Sequence, residues 1–369
     1  MTVEEAIAVA NRSLDNLALL EQPGFSFGPG LVATPVSVGQ KLQVLDVLPG
    51  QENPGVAFSE LPKPSVSTLL ARNNLNSPVF LPLSTLVKGG AQNRVLANSI
   101  VLEPGESCEV EALCVERGRW ETHRMDFDRT TSSPTSLKTS LRRSRGSQRE
   151  TWREVDRFLR ARSVRSDSAD LFAGLQAGAV DESDEPFAAD LYNGACGAVV
   201  DGADAFLVEW TEAAALSRQV LRDISRSCRA ESGQRGQVLA VAPPRRLSAR
   251  LLQVTRGVHR DGRLRGERVQ GGVLVRGKSP CVSVEMFVRD GIVLHGILQR
   301  LPEVEVPQPR DDAALTPTNR RLEVVGTSLR NALILLRRIE RDQQHLEMEN
   351  EQLRREVAAA RERLNNGRE

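Results

Sequence analysis

The chain has 369 residues, with 49 Lys and Arg against 48 Asp and Glu and a net charge of +1. That balance excludes a global field for nucleic acid or membrane. Aromatics at 4%, with Tyr192 the single tyrosine, are poor provision for base stacking.

Apolar residues at 40% supply a real core, and the length predicts two domains with accessory helix. The five cysteines, Cys108, Cys114, Cys196, Cys228 and Cys281, are odd in number and widely spaced without a CxxC. They read as free thiols in the cytoplasm and give a metal site no support. The N-terminal MTVEEAIAVANRS lacks a basic n-region and a long apolar run, so it is not a signal peptide. No run approaches a membrane-spanning length.

In chain order, residues 1–13 predict an N-terminal helix, with Thr2 as N-cap and Glu5 three residues later. Residues 14–128 read as a β-rich domain. Its runs "SFGPGLVATPVSV", "KLQVLDVL" and "SPVFLPL" are separated by Pro, Gly and Asn clusters. From 94 to 122 the alternation continues around Pro104-Gly105, which predicts a hairpin. Glu109 and Glu111 fall on its solvated face.

Residues 129–190 read as loop and basic amphipathic helix. Ser, Thr and Pro predict a loop over 130–140. "QRETWREVDRFLRARSV" places Trp152, Val155, Phe158 and Leu159 at helical spacing. Residues 138–166 carry ten Lys or Arg against three Asp or Glu. The acidic, Gly-containing stretch 173–190 predicts a linker.

Residues 191–300 read as an α+β subdomain. Two strands flank Asp201-Gly202, and a helix follows with Thr211 as cap and Leu216, Val220, Leu221 and Ile224 as its apolar stripe. Strands predicted over 237–300 turn at Asp290-Gly291. The proline-rich, acidic stretch 301–319 is a linker. The fold class is α+β: a β-rich N-terminal body, a second α+β subdomain and a long C-terminal coiled-coil helix over 320–366.

That helix is the sharpest physical signal. The a positions are Leu322, Leu329, Leu336, Gln343, Asn350, Val357 and Leu364. The d positions are Val325, Ala332, Ile339, Leu346, Leu353 and Ala360. A stripe this narrow needs a partner helix. Asn350 at an a position pairs best with its own copy across a two-fold axis, which favours a parallel dimer through 322–364. Glu349 with Arg354 and Glu356 with Arg361 agree; Asp342 with Glu347 repels. The oligomerisation set is Leu336, Ile339, Leu346, Asn350, Leu353, Val357 and Leu364. The competing readings are a trimer, a hetero-coiled coil with a protein partner, and a helix folded onto its own body.

Catalytic motifs are absent from the sequence. His123, His259, His295 and His345 are scattered without metal-ligand spacing, and no Walker loop, GxSxG or dinucleotide fingerprint occurs. No cofactor is implied. Two polar clusters stand out, Gln92-Asn93-Arg94 and Glu116-Arg117-Gly118-Arg119-Trp120. Arg119 can fork a phosphate or carboxylate and Trp120 can stack. The structural alternative is a Glu116–Arg119 ion pair with Trp120 closing the core. Ten basic residues over 245–278 could meet nucleic acid, but solvated charge on alternating strand explains them more simply.

The stretch "KGGAQNRVLANSIVLEPGESCEVEALCVERGRW" resembles a bacterial domain family named for its association with ADP-ribosylglycohydrolases and rhodanese–phosphatase proteins. Members show a Gly-Ala-Lys-Gln-Asn-Arg-like run, then Cys-Val-Glu-x-Gly-Arg-Trp. This chain keeps Gln92-Asn93-Arg94, Cys114-Val115-Glu116 and Gly118-Arg119-Trp120. The resemblance extends through "SLKTSLRRS", "TWREVDRFL" and "CGAVVDGADAFLVEW" over roughly 15–300, and the coiled coil lies outside it. The family's acidic Asp-Gly-Glu-Glu-like turn is replaced here by "LPLSTLVKGG", with Ser84 and Thr85. If those acids carry chemistry in relatives, this chain lacks it.

The leading expectation is a non-enzymatic interaction protein, dimerised by its tail, that holds a small anionic or nucleotide-like ligand at Gln92, Asn93, Arg94, Glu116, Arg119 and Trp120. One alternative is an enzyme on a nucleotide or ADP-ribose-like substrate, with Glu116 as acid/base. The other is a nucleic-acid-associated protein using the Arg-rich segments, which the charge balance disfavours.

Overall fold

The computed structural model describes residues 1–300 except 29, 40–41, 122, 145–146, 178–193, 203–205, 233–237, 245, 262 and 280–281. The chain divides into two units, Met1–Val304 and Glu305–Glu369, and the described residues belong to the first. The linker, Cys281 and the whole heptad segment, including Leu336, Ile339, Leu346, Asn350, Leu353, Val357 and Leu364, lie outside the described residues.

Helix α1 (Val3–Asp15) starts at Thr2, whose side chain and that of Glu5 form a reciprocal capping box. Strands β1 (Ala18–Leu19), β2 (Gly24–Ser26) and β3 (Leu31–Ser37) follow. Next come β4 (Leu48–Pro49), β5 (Val56–Ser59), β6 (Thr68–Asn73), β7 (Val79–Leu81) and β8 (Thr85–Gly89). After them run β9 (Arg94–Leu96), β10 (Ile100–Leu102), β11 (Ser107–Cys114) and β12 (Phe127–Ser132). Helices α2 (Thr135–Ser144), α3 (Gln148–Ala161) and α4 (Leu171–Ala177) lead to the hairpin β13 (Gly197–Gly202) and β14 (Phe206–Trp210). Helix α5 (Ala214–Ser232), β15 (Leu239–Val241) and α6 (Leu247–Asp261) precede four closing strands. These are β16 (Arg265–Val269), β17 (Gly272–Lys278), β18 (Val282–Arg289) and β19 (Ile292–Arg300).

The architecture is α+β and β-rich. One large sheet runs β15-β2-β3-β13-β14-β19-β18-β17-β16, with β1 also on β3. Strand alternation gives it two apolar faces. Val199, Val208, Val284, Met286 and Leu298 pack with α1 and with Leu247, Leu251, Val254 and Val258 of α6. Ala198, Val200, Leu207 and Ile297 pack on Val220, Leu221 and Ile224 of α5. A second sheet, β12-β8-β9-β11-β6-β5, closes on itself through an antiparallel bridge between Ser59 and Asp126. Its interior holds Phe58, Leu69, Ala71, Val87, Leu96, Val110 and Ala112. Its other face, with Leu86, Val95, Leu113 and Val115, is covered by the apolar sides of α2, α3 and α4. A small sheet, β10-β7-β4, completes the body.

Several expectations meet the structure differently. A division into 14–128 and 191–300 would cut paired strands, because β3 lies against β13 in register Gly197↔Val36 through Gly202↔Leu31. Pro104-Gly105 makes a turn, with Gly105 at φ +71, but no hairpin. It passes from β10, paired to β7, into β11, paired to β6 and β9. A tight turn fixes a change of direction, and here the two strands find partners in different sheets. The loop predicted over 130–140 holds the end of β12 and the start of α2. The strands predicted over 237–300 are interrupted by α6, whose buried Leu247, Leu251, Val254 and Val258 recur at helical intervals. Asp290-Gly291 does form the β18–β19 turn, with φ +49 and +77, the left-handed pair that a type I′ turn requires.

Candidate functional site

The two polar clusters meet because β9 and β11 pair antiparallel, with Cys114 opposite Arg94. Just beyond that pair, the Val115 N–H donates to the Asn93 carbonyl at 3.0 Å. The 92–94 run enters β9 as 114–116 leaves β11, so both sit at one end of the closed sheet.

Asn93 is the hub. Its backbone N–H donates to Glu116 Oε2 at 3.2 Å and its Nδ2 donates to Asp170 Oδ1 at 2.9 Å. Its Oδ1 accepts from the Gly89 N–H at 2.8 Å. Arg119 forks around it. Nε donates to Glu116 Oε2 at 2.9 Å, Nη1 to the Gly90 carbonyl at 2.7 Å and Nη2 to the Gly89 carbonyl at 3.2 Å. Glu116 Oε1 accepts from Ser168 Oγ at 2.8 Å. Burial by itself would raise the Glu116 carboxyl. The bonds from Arg119, Ser168 and Asn93 overcome that and hold it below the usual carboxylate range. A carboxylate held ionised is a poor proton donor at neutral pH.

Arg94 points the other way, into the closed sheet on the same strand face as Leu96. Its side chain is wholly buried, 3.5 Å from Glu60, itself wholly buried. Arg94 Nη1 donates to Gln92 Oε1 at 3.2 Å, and Gln92 Nε2 donates to the Arg117 carbonyl at 3.4 Å. Glu60 Oε1 also accepts from the Ala91 N–H at 2.9 Å. Burial raises the Glu60 carboxyl against the pull of Arg94. The Trp120 ring lies 5.4 Å from the Arg94 guanidinium and remains 37% exposed, so it roofs the cation from solvent without closing the core.

The glycines of the stretch are required by this packing. Gly90, at φ +53, would drive a Cβ into the Phe127 ring, and a Cβ on Gly118 would come within 2.7 Å of Ser168 Cα. Gly118 lets the strand exit approach residue 168, whose carbonyl accepts from the N–H groups of both Arg117 and Gly118 at 2.8 Å.

Sequence reasoning found Gln92, Asn93, Arg94, Glu116, Arg119 and Trp120, and the structure brings all six together. It missed Glu60, which follows β5, and Ser168 and Asp170, which share the loop before α4. The missing acidic turn is a tight bend. Ser84, buried at φ +72, donates its N–H to the Leu96 carbonyl, and Thr85 Oγ1 donates to the Pro82 carbonyl.

A second polar cluster lies on the α5 side of the large sheet. Lys138 of α2 donates to both oxygens of Glu209 on β14, at 3.2 and 2.9 Å. His295 of β19 bonds Glu209 Oε1 through Nε2 at 2.8 Å. All three are buried. Burial pushes the Glu209 carboxyl up, but Lys138 and His295 outweigh it and hold it at about 2. Asp223 of α5 accepts from Ser132 Oγ at 2.7 Å and Gln219 Nε2 at 2.6 Å. Burial dominates there, and its carboxyl is pushed up to about 7. A carboxylate-oriented imidazole is the geometry of a general base. The sequence signals were a lone acid in the apolar run "FLVEW" and an acid inside the α5 stripe.

Elsewhere, two cations of the second Arg-rich segment are paired: Arg250 with Asp201, and Arg276 with Glu267 and Glu285. No group of three or more His, Cys, Asp or Glu is placed to hold a metal among the described residues. No helix among them is long and apolar enough to cross a membrane.

A family model, ARPP-1, described as the ARG and Rhodanese-Phosphatase-superfamily-associated Protein domain, matches residues 31–298. That span runs from the first residue of β3 into β19 and takes in both polar clusters. No curated protein and no solved structure matches the chain.

Proposed function

This chain belongs to the ARPP-1 domain family, and from that premise we propose that it is a non-enzymatic interaction protein whose β-rich domain is paired by a parallel coiled coil through 322–364. One observation carries the reading: Arg94, Glu116 and Arg119 of the 92–120 cluster are engaged by groups of the protein itself. Glu116 holds Arg119, Ser168 and the Asn93 N–H, while Arg94 faces Glu60 and Gln92. The cluster therefore ties β9, β11 and the 166–170 loop together. A small anionic or nucleotide-like ligand there would meet the Trp120 ring and the outer edge of Arg119. On the same reading the protein works in the cytoplasm, where free thiols such as Cys196 and Cys228 stay reduced.

Sedimentation velocity tests the pairing. The full chain runs as a dimer and a chain ending at residue 320 runs as a monomer; equal masses overturn the proposal.

A second reading is favoured by the Glu209–His295 pair: an enzyme acting on a nucleotide or ADP-ribose-like substrate, with His295 as base. Turnover of an ADP-ribosyl substrate by the full chain, abolished in His295→Gln, would replace the interaction reading. The third reading, nucleic-acid association, is weakened by the pairing of Arg250 and Arg276 with neighbouring acids.

A further inference from the structure

Beside the Glu209 cluster runs a strip of buried polar groups without hydrogen-bond partners among the described residues. Antiparallel register places Ser283 of β18 opposite Gln299 of β19, and Glu285 opposite Ile297, which also pairs with Glu209. Alternation puts Ser283, Glu285, Ile297, Gln299 and Glu209 on one face. Helix α2 crosses that face. Lys138 meets Glu209, and Arg142, one turn later on the same side, meets Glu285.

Three side chains here are deeply buried with unmatched polar atoms. Among the described residues, Gln299, 1% exposed, has no hydrogen-bond partner at either Nε2 or Oε1. Among the same residues, Ser283 has no hydrogen-bond partner at Oγ, and Arg142, with 3% of its side chain exposed, has none at Nε or Nη1. Glu285 does not satisfy Arg142. Arg276 Nε takes its Oε2 at 2.8 Å, leaving Oε1 3.7 Å from Arg142 Nη1, beyond hydrogen-bond reach. A buried guanidinium costs several kcal/mol unless anionic acceptors surround it. The unmatched groups are chiefly donors: two N–H directions from Arg142, the Gln299 amide and the Ser283 hydroxyl. They come from a helix above the sheet and from two adjacent strands, so they do not lie in one plane. That set matches an acceptor-rich, tetrahedral, negatively charged group.

We propose that Arg142, Gln299 and Ser283 form a binding site for a phosphate-type oxyanion, with Arg142 as its cation beside the Lys138–Glu209 pair. The site lies apart from the 92–120 cluster and does not depend on the tail or on the interaction reading.

The test uses the full chain and inorganic phosphate, with ionic strength held constant by chloride. Isothermal titration should give saturable, one-to-one binding, and phosphate should raise the melting temperature in step. Gln299→Leu removes two unmatched atoms and keeps the fold, since an apolar replacement of an unbonded buried amide is near neutral. It should weaken phosphate at least 10-fold, as should Arg142→Met. Sulfate should compete; acetate at equal concentration should not. Phosphate indistinguishable from chloride, or binding of equal strength in wild type and Gln299→Leu, overturns the proposal.

Discussion

Arg94 and Glu60 lie 3.5 Å apart at one end of the closed six-stranded sheet, and neither side chain has surface in contact with solvent. The pair is loose by ion-pair standards, and Glu60 Oε2 and Arg94 Nε have no hydrogen-bond partner among the described residues. Its role is mutual neutralisation inside an apolar barrel rather than strong attraction. Removing one member is therefore costly and removing both is less so. Arg94→Met should destabilise by about 3–5 kcal/mol by leaving Glu60 uncompensated. Glu60→Gln with Arg94→Met should recover part of that loss. Urea unfolding of the single and double variants measures it; additive losses would refute mutual neutralisation.

Arg119 differs because its partners are backbone carbonyls as well as a carboxylate. Arg119→Ala leaves the Gly89 and Gly90 carbonyls and Glu116 short of donors and should cost about 2–4 kcal/mol. Arg119→Lys should not rescue it, since an ammonium cannot fork to three acceptors in one plane. Hydrogen exchange should quicken at Asn93 and Gly118 and stay slow in β13.

Stability should depend on pH through two buried acids with opposite signs. Asp223 has a folded pKa of about 7 against an ordinary 3.8. Between those values the folded state keeps a proton that the unfolded state has released, so stability is lost as pH rises through this window. The loss is on the order of 4 kcal/mol for a shift of this size. Glu60, Glu154 and Asp170, also raised by burial, act in the same direction. Glu209, held at about 2, contributes stability that is complete above 4.5 and lost as pH falls towards 2. The stability maximum should fall near pH 4–5, and Asp223→Asn should flatten the decline between 5 and 7. Chemical denaturation across that range checks both.

Gly296 lies opposite Trp210 in the β14–β19 register, and a Cβ there would collide with the indole ring. The ring is fully buried, and its Nε1 donates to Ser13 Oγ of α1 at 3.0 Å. Gly296→Ala should cost about 1–3 kcal/mol through overpacking. It should also shift Trp210 fluorescence as the indole leaves its bond to Ser13; an unchanged spectrum with unchanged stability would exclude the close approach.

Much of the local structure was legible in the sequence. The Thr2–Glu5 capping box, the α5 stripe at Leu216, Val220, Leu221 and Ile224, and the Asp290-Gly291 turn each depend on residues a few positions apart. The polar ends of the 89–120 stretch were legible as a unit for the same reason. Helix α6 was legible in the spacing of Leu247, Leu251, Val254 and Val258, although the 245–278 segment as a whole reads as alternating strand.

What the sequence alone determined is therefore short-range: periodicity, caps, turns, the heptads of the tail and the residues that carry the family resemblance. The tertiary structure decided the partners. It placed β3 beside β13, sent the strands around Pro104-Gly105 into different sheets, and set Glu60 beside Arg94 and Lys138 beside Glu209. Hydrogen bonds within a turn are dictated by neighbouring dihedrals. Strand pairing and buried charge pairing bring together residues tens to more than a hundred positions apart, and they are selected by burial over the whole body. Gln92, Asn93, Arg94, Glu116 and Arg119 could be named from the sequence; that they gather at one end of the closed sheet, with Arg94 turned inward to Glu60, was decided by the pairing of β9 with β11.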